Sequence, residues 1–239
     1  MWSICKKEFG QFFSSLTGYI AIIVFLLVNG LVLFVFRDNI LDSGYASLEQ
    51  FFSFAPWILI FLIPAINMRS FSDEYKGGTF ELLRTMPVTV WQIILGKFFG
   101  GLIVALIALL PTIIYYFTIN NLASGAGIDA GAAVGSYLGL LFLATVFTAI
   151  SVCISSGGNN SIVAFILSVI SCAFLYYGFH AISQLPLFEN GADYYLEMFG
   201  IDFHYQSISK GVLDTRDIIY FISLTVFFLL ITQQQILKR

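Results

Sequence analysis

Six runs of apolar residues, each about as long as a lipid bilayer is thick, constrain this chain more than any other feature. A transmembrane helix needs about 20 apolar residues in succession. The runs cover residues 19–36, 51–68, 93–117, 134–155, 161–182 and 218–237. Only 10% of all residues are charged, against about 25% in soluble domains. The sequence therefore predicts one domain over residues 1–239, an all-α integral membrane protein with six transmembrane helices.

The basic residues determine the predicted orientation. With the N-terminus in the cytoplasm, eight of the eleven Lys and Arg residues lie on the cytoplasmic side, as the positive-inside rule requires. Ten of the fourteen Asp and Glu residues then lie outside. We therefore expect a multi-pass protein of the cytoplasmic (inner) membrane with both termini in the cytoplasm and an acidic outer surface.

Two further segments have an amphipathic composition. Residues 1–17 place Trp2, Phe9 and Phe13 on one side of a helical wheel and Lys6 and Lys7 on the other, which predicts a helix lying flat in the headgroup region. A frayed start of the first span is the alternative. Residues 183–217 alternate aromatic and acidic residues, which predicts short interfacial or re-entrant helices on the outer side. These helices could form a gate or a passive cap.

Glycines recur every four residues at two helix starts, a spacing that lets neighbouring backbones approach closely. The predicted packing glycines are Gly96, Gly100, Gly131, Gly135 and Gly139. Pro64 and Pro111 lie inside the second and third runs, where each removes a backbone hydrogen bond and predicts a bend. Such bends would shape an internal vestibule, or would only serve the packing of the helices.

Several function classes have little support in the residues. None of the six runs carries a charge in its central part, whereas ion-coupled carriers commonly place ionisable groups at mid-membrane. The three cysteines are isolated, and His180 and His204 have no Cys or Glu at ligand spacing, so we expect no disulfide and no metal. An intramembrane protease would need His180, but no Gly-x-Ser-x-Gly is present. A channel or secondary carrier and a protease remain the alternatives.

Residues 71–87 form the longest charged interruption between two apolar runs. Thr79 is a predicted helix N-cap, Glu81 follows in the first turn, and Pro87 ends the helix. Its apolar face would consist of Leu82, Leu83 and Met86, and its polar face of Glu81, Arg84 and Thr85. A helix of about two turns with these faces could enter a groove on a partner. A helix resting on the membrane is the alternative reading.

This segment resembles the one that follows the second span in ABC-2 type permeases. The matching positions are Glu74, Gly78, Thr79, Glu81, Leu82, Leu83, Pro87, Gly96 and Lys97. Residues 210–217 give a second match, before the last span. The resemblance extends over essentially the whole chain and is nearest to the F-subunit permease of the gliding-motility ABC transporter.

The resemblance implies that residues 71–87 contain a coupling helix, between the second and third spans, that docks on an ATP-hydrolysing subunit. Leu82, Leu83 and Met86 would fill the groove of that subunit, Glu74 and Glu81 would make polar contacts, and Pro87 would fix where the helix ends. The full set implied for coupling is Glu74, Gly78, Thr79, Glu81, Leu82, Leu83, Arg84, Met86 and Pro87.

The expected partners follow from the same resemblance. They are two copies of an ABC ATPase, a second and larger permease subunit, and membrane lipid, without nucleic acid. The chain has no Gly-x4-Gly-Lys-Ser/Thr motif, so ATP and Mg²⁺ are expected in the ATPase, and this chain is expected to bind no cofactor and to catalyse no reaction. The implied function is export or mechanical work, for gliding and associated secretion. Export of a lipid, polysaccharide or drug by a generic ABC-2 exporter is the alternative.

Overall fold

A computed structural model describes residues 1–36, 40, 47–123, 127–185 and 192–238. Throughout these residues the regular secondary structure is helical, without a strand. We number the α-helices in chain order. They are α1 Trp2–Phe13, α2 Leu16–Phe34, α3 Glu49–Asn67, α4 Ser72–Lys76, α5 Thr79–Thr85, α6 Val90–Leu109, α7 Ile113–Leu122, α8 Ala130–Gly157, α9 Ser161–Ala173, α10 Phe179–Ser183, α11 Ala192–Glu197, α12 Ile201–Ser209 and α13 Thr215–Lys238.

Five helical segments are long and apolar enough to cross a membrane. These segments are Glu49–Lys76, Val90–Leu122, Ala130–Gly157, Ser161–Ser183 and Thr215–Lys238. The pair Trp2–Phe13 and Gly18–Phe34, bent by 72°, makes a sixth if it counts as one span. The prediction of an all-helical, multi-span membrane protein is confirmed, with five to six spans among the residues described.

Helix α8 is the centre of the bundle, because it packs against α3, α6, α9, α12 and α13. In the most apolar 18-residue window of α8, 72% of the window is buried. The buried share of the same kind of window is 22% in Ser161–Ser183 and 22% in Thr215–Lys238. Those two spans therefore lie at the periphery and leave apolar side chains such as Ile166, Ile170 and Phe227 exposed. Exposed apolar surface of this kind suits contact with lipid tails.

The two ends of the bundle differ. At one end, here called the terminal end, α1 packs on the start of α6, and Ser156 of α8 donates a hydrogen bond to Gln235 of α13 (2.6 Å). At the other, the opposite end, α12 packs against α8. The Tyr205 hydroxyl donates to the carbonyl of Phe52 (2.6 Å) and fixes α12 to α3.

Two pairs of the predicted packing glycines lie at close helix contacts. A Cβ atom on Gly96 would lie 2.8 Å from Cβ of Ile4, and one on Gly100 would lie 2.8 Å from Cβ of Glu8. Helix α1 can therefore lie directly on the backbone of α6, because α6 has no side chains at these two positions.

The other glycines are on α8. A Cβ atom on Gly135 would lie 2.9 Å from Cα of Gly211, and one on Gly139 would lie 3.1 Å from Ile208. At Gly131 the added atom would meet only the Asp129 carboxylate, at 3.3 Å. The α12 segment therefore approaches α8 along Gly135 and Gly139, and Gly131 lies outside this contact.

Two of the membrane spans contain a non-α turn. At Pro111 the helix changes to a 3-10 turn, Leu110–Thr112, because proline has no N–H to donate. Tyr137 donates to the Thr112 carbonyl (2.9 Å) and supports this turn. A π-helical turn, Phe174–Gly178, joins α9 to α10. By contrast, α3 stays helical through Pro64 to Asn67.

The contact between α8 and α12 gives a test of the fold. Gly135→Ala should lower the free energy of unfolding by about 1–3 kcal/mol, because the new methyl group meets backbone atoms that cannot rotate away. Gly131→Ala is the matched control and should be neutral or stabilising by up to about 1 kcal/mol, since alanine favours a helix. Thermal unfolding of the two variants in detergent would measure the difference, and equal stability would contradict this packing.

Candidate functional site

Residues 71–87 form two short helices, α4 and α5, that meet at Gly77 and Gly78. Gly78 has a φ of 66°, a left-handed conformation that glycine adopts at little cost. The prediction that Thr79 caps the helix is wrong: Gly78 is the N-cap residue and Thr79 is the first residue of α5. The Thr79 hydroxyl instead donates to the carbonyl of Glu74 (3.4 Å), because the left-handed turn folds α5 back onto α4.

Helix α5 has one buried and one exposed apolar side. Phe80 is buried, with its ring centre 4.8 Å from that of Tyr75, and Leu83 is half-buried. Leu82 is 65% exposed and Met86 is 55% exposed. The three apolar residues of the predicted face therefore differ in exposure. Leu83 is partly covered by the rest of the chain, whereas Leu82 and Met86 are exposed.

The end of α5 and the start of α6 have clear local causes. Helix α5 ends at Thr85, and Met86 is extended with a ψ of 151°, a conformation that the following Pro87 favours. Helix α6 then begins with a capping box, in which the Thr89 hydroxyl accepts from the Gln92 N–H and the Gln92 side chain accepts from the Thr89 N–H.

A buried lysine lies behind α4. The side chain of Lys97, on α6, is 0% exposed. Its Nζ atom lies 2.7 Å from Oε1 of Glu8 on α1 and 3.0 Å from Oε2 of Glu74 on α4. It also donates to the Ser70 carbonyl and lies 4.8 Å from the centre of the Phe71 ring. A buried ammonium is tolerated only with such partners.

Lys7 extends these contacts into an ion cluster of four residues, Lys7, Glu74, Lys97 and Glu8. Lys7 Nζ lies 2.6 Å from Oε1 of Glu74, so each oxygen of this carboxylate faces a different ammonium. The cluster balances two positive and two negative charges and joins three helices, α1, α4 and α6.

A neutral contact fixes α4 to the central helix. The Ser155 hydroxyl, on α8, accepts hydrogen bonds from the N–H groups of Phe71 (3.1 Å) and Ser72 (3.3 Å). It donates to the carbonyl of Met68 (3.1 Å). Helix α4 is therefore attached to α8 as well as to α1 and α6.

The residues implied for coupling occupy two environments. Gly78, Thr79, Glu81, Leu82, Arg84, Met86 and Pro87 are exposed, and Leu83 is half-buried. Glu74 is 8% exposed and lies within the ion cluster. Its role as a direct contact with an ATPase stays a prediction, and its ion pairs give it a structural role that the sequence reading did not include.

Phe80 and Glu8 are members of this site that the sequence did not reveal, and Lys97 was named only as a position that matches the family, without its buried ion pairs. A signal for Lys97 was present, because a lysine among the apolar residues of a span needs a partner. Phe80 and Glu8 have no comparable signal, since their burial depends on how separate helices pack.

A cavity of about 750 Å³ opens at the opposite end, between α3, α8, the π-helical turn and α12. Trp57 and Tyr177 line one part of it, and Asp202 lines another. Burial raises the pKa of the Asp202 carboxyl, and hydrogen bonds from Tyr176 and Gln206 oppose this shift in part. The cavity is distant in the fold from residues 71–87, which lie at the terminal end.

A match to a family model decides the class of the protein. Residues 2–230 match the model described as ABC-2 family transporter protein. The chain belongs to the ABC-2 transporter family. A comparison with curated proteins gave no match. ABC-2 permeases are generally non-catalytic membrane subunits that work with an ABC ATPase, and the helical membrane architecture agrees with this assignment.

The ion cluster of this ABC-2 permease gives a second test. Lys97→Met should lower the free energy of unfolding by about 3 kcal/mol, because it leaves the mostly buried Glu8 carboxylate without an ion-pair partner, whereas Glu74 keeps Lys7. Lys6→Met, on an exposed residue of α1, is the control and should change stability little. Thermal unfolding and limited proteolysis at residues 71–87 would follow the change. The triple variant Lys97→Met, Glu8→Gln and Glu74→Gln should recover part of the loss.

Proposed function

We propose that residues 71–87 of this ABC-2 permease receive the motion of an ABC ATPase and transmit it to the membrane helices. In this proposal α5 is the coupling helix and docks into a groove on the ATPase. Leu82 and Met86 enter the groove, while Glu81 and Arg84 make polar contacts at its edge. ATP and Mg²⁺ bind to the partner.

The observation that carries the proposal is the contrast between the two sides of α5. Leu82, on α5, and Met86, directly after it, are more than half exposed at one end of the bundle. Exposed apolar side chains beside charged ones are typical of a surface that a partner covers. The inner side of the same helix is anchored by Phe80, so a force applied to the outer side acts on a supported element.

The ion cluster and Ser155 supply the path for that force. Displacement of α4 and α5 moves the carboxylate of Glu74, and Lys97 then transmits the displacement to α1 and α6. Ser155 transmits it to α8. When two ATPases close on ATP, the spans shift between two arrangements, and the energy of ATP binding changes their populations. The terminal end must then face the cytoplasm, as the positive-inside rule predicts.

The assembly that we propose contains two ATPase copies and a second, different permease subunit. A heteromeric pair agrees with the resemblance to the gliding-motility permease, which rests on the general likeness of the sequences. Export and mechanical work for gliding are both compatible with the geometry. Affinity purification of the chain from its native membrane, followed by mass spectrometry, tests the assembly: recovery of this chain as the only permease would contradict the heteromeric arrangement.

Docking of α5 gives the direct test of the proposed function. Leu82→Asp should lower the amount of co-purified ATPase at least tenfold, because it places a charge in an apolar groove. The matched control is Leu213→Asp, at the opposite end, where the leucine is 50% exposed. Both variants should insert and unfold as the wild type does. Undiminished ATPase binding by Leu82→Asp would exclude α5 as the contact.

A further inference from the structure

The cavity at the opposite end has the size of a small-molecule site and a lining of mixed chemistry. Its volume is about 750 Å³, and pockets for drug-sized ligands measure about 300–1,000 Å³. Aromatic rings and carboxylates both contribute to the lining, among them Trp57, Tyr177 and Asp202. A ligand that matches both features combines an apolar body with a positive charge.

One aromatic part of the lining combines Trp57 on α3 with the consecutive Tyr176 and Tyr177 of the π-helical turn. The ring centre of Trp57 lies 5.5 Å from that of Tyr176 and 5.4 Å from that of Tyr177. Tyr176 is 3% exposed, whereas Trp57 is 39% and Tyr177 is 42% exposed. Tyr176 therefore supports two rings whose surfaces stay accessible within the described part of the chain. The face of such a ring attracts a cation.

Negative charge predominates in the lining. The carboxylates of Glu49, Asp129 and Asp202 contribute to it, together with the ammonium of Lys210. None of these four groups forms an ion pair with another described residue. Asp129 caps α8 through the N–H of Gly131 (2.8 Å), and Glu49 and Lys210 are exposed. The carboxylates that face the cavity are therefore suited to a positively charged ligand.

Asp202, on α12, is the carboxylate beside the aromatic rings. It accepts a hydrogen bond from the Gln206 amide (2.7 Å) and interacts with the Tyr176 hydroxyl, and both of these groups are neutral. The imidazole of His180, on α10, contacts Glu197 (3.1 Å) instead. Burial raises the pKa of the Asp202 carboxyl, because the charged form loses hydration. A cation in the cavity would stabilise that charged form.

Contacts between the surrounding helices hold the walls of the cavity in place. The Tyr205 hydroxyl donates to the Phe52 carbonyl (2.6 Å) and joins α12 to α3. The Ser136 hydroxyl donates to the Ser209 carbonyl (2.7 Å) and joins α12 to α8. The π-helical turn contacts α3 through Trp57, and π-helical turns are frequent at functional sites. A site that is formed in advance avoids part of the ordering cost of binding.

We propose that this cavity binds an organic cation with an apolar body, of the quaternary ammonium class. The positive charge lies between the rings of Trp57 and Tyr177 and the carboxylate of Asp202, and the apolar body occupies the remaining volume. The rings replace part of the hydration that the cation loses, and the carboxylate supplies the counter-charge. Binding at this end requires no ATPase, so it does not depend on the coupling role of α5.

Equilibrium dialysis of the full-length chain in uncharged maltoside micelles tests this binding, with empty micelles as the blank. The probes are benzyltrimethylammonium and the larger tetraphenylphosphonium. Benzylsulfonate and tetraphenylborate have similar shapes and the opposite charge, and they serve as the controls. We expect saturable binding of at least one cation, about tenfold or more tighter than that of its anionic counterpart. Absence of saturable binding by both cations, or equal affinity for cation and anion, would overturn the proposal.

Two substitutions locate the bound cation. Asp202→Asn should weaken binding about tenfold, because it removes the counter-charge, and Trp57→Leu should weaken it about fivefold, because it removes an aromatic face. Trp57→Phe keeps such a face and should restore most of the affinity. The matched controls are Asp214→Asn and Trp2→Leu, at exposed residues outside the lining, which should bind as the wild type does. Wild-type affinity in both Asp202→Asn and Trp57→Leu would contradict the site, and the comparison of cation with anion on the wild type needs no substitution.

A quaternary ammonium group occurs both in free solutes and in the headgroup of choline lipids. Dihexanoylphosphatidylcholine, added below its critical micelle concentration, separates the two sources. Displacement of bound benzyltrimethylammonium assigns the site to a choline headgroup, and retention assigns it to a free solute. The cavity binds a cation in either case. None of these measurements involves the ATPase, so their outcome is independent of the coupling proposal.

Discussion

The buried ammonium of Lys97 is the constraint on which the terminal end of the molecule depends. Removing such a charge from water costs several kcal/mol, and only closely placed partners offset that cost. The partners come from α1 and α4, so these two helices have to meet at α6 before the charge is compensated. The glycines at positions 96 and 100 permit this meeting, because they leave room for α1 directly beside Lys97. The ion pairs of Lys97 and the glycines of α6 thus favour the same packing of α1 against α6.

The central helix connects this charged end to the opposite one. Helix α8 contacts α4 through Ser155 near its C-terminus, and near its N-terminus Ser136 donates to the Ser209 carbonyl (2.7 Å). A rigid tilt of α8 would consequently displace both regions at once. The coupling segment and α12 are therefore connected through one helix, without a chain of intermediate side chains.

Bilayer thickness and hydropathy explain why the spans were predictable from the sequence, since each apolar run has to reach across the membrane. The side-chain partners were not predictable in this way. Glu8 and Lys97 are 89 residues apart in the chain. His204 and Asp217, whose Nδ1 and Oδ1 atoms lie 2.6 Å apart, belong to different helices. Within α5, a helical wheel separates apolar from charged residues, but it cannot distinguish Phe80, which packs on its own chain, from Leu82, which remains exposed. That distinction depends on tertiary packing.

The long separation between Glu8 and Lys97 also has a consequence for how the protein is made. Helix α1 is synthesised before α3 and α4, and Lys97 becomes available only after both have followed. Until then α1 lacks its main docking surface, and its acidic residue Glu8 has no counter-charge from Lys97. Contacts between residues so distant in the chain close late in folding. Helix α1 therefore precedes in the chain the residues of α6 that complete its contact, and this contact cannot form until α6 has been synthesised.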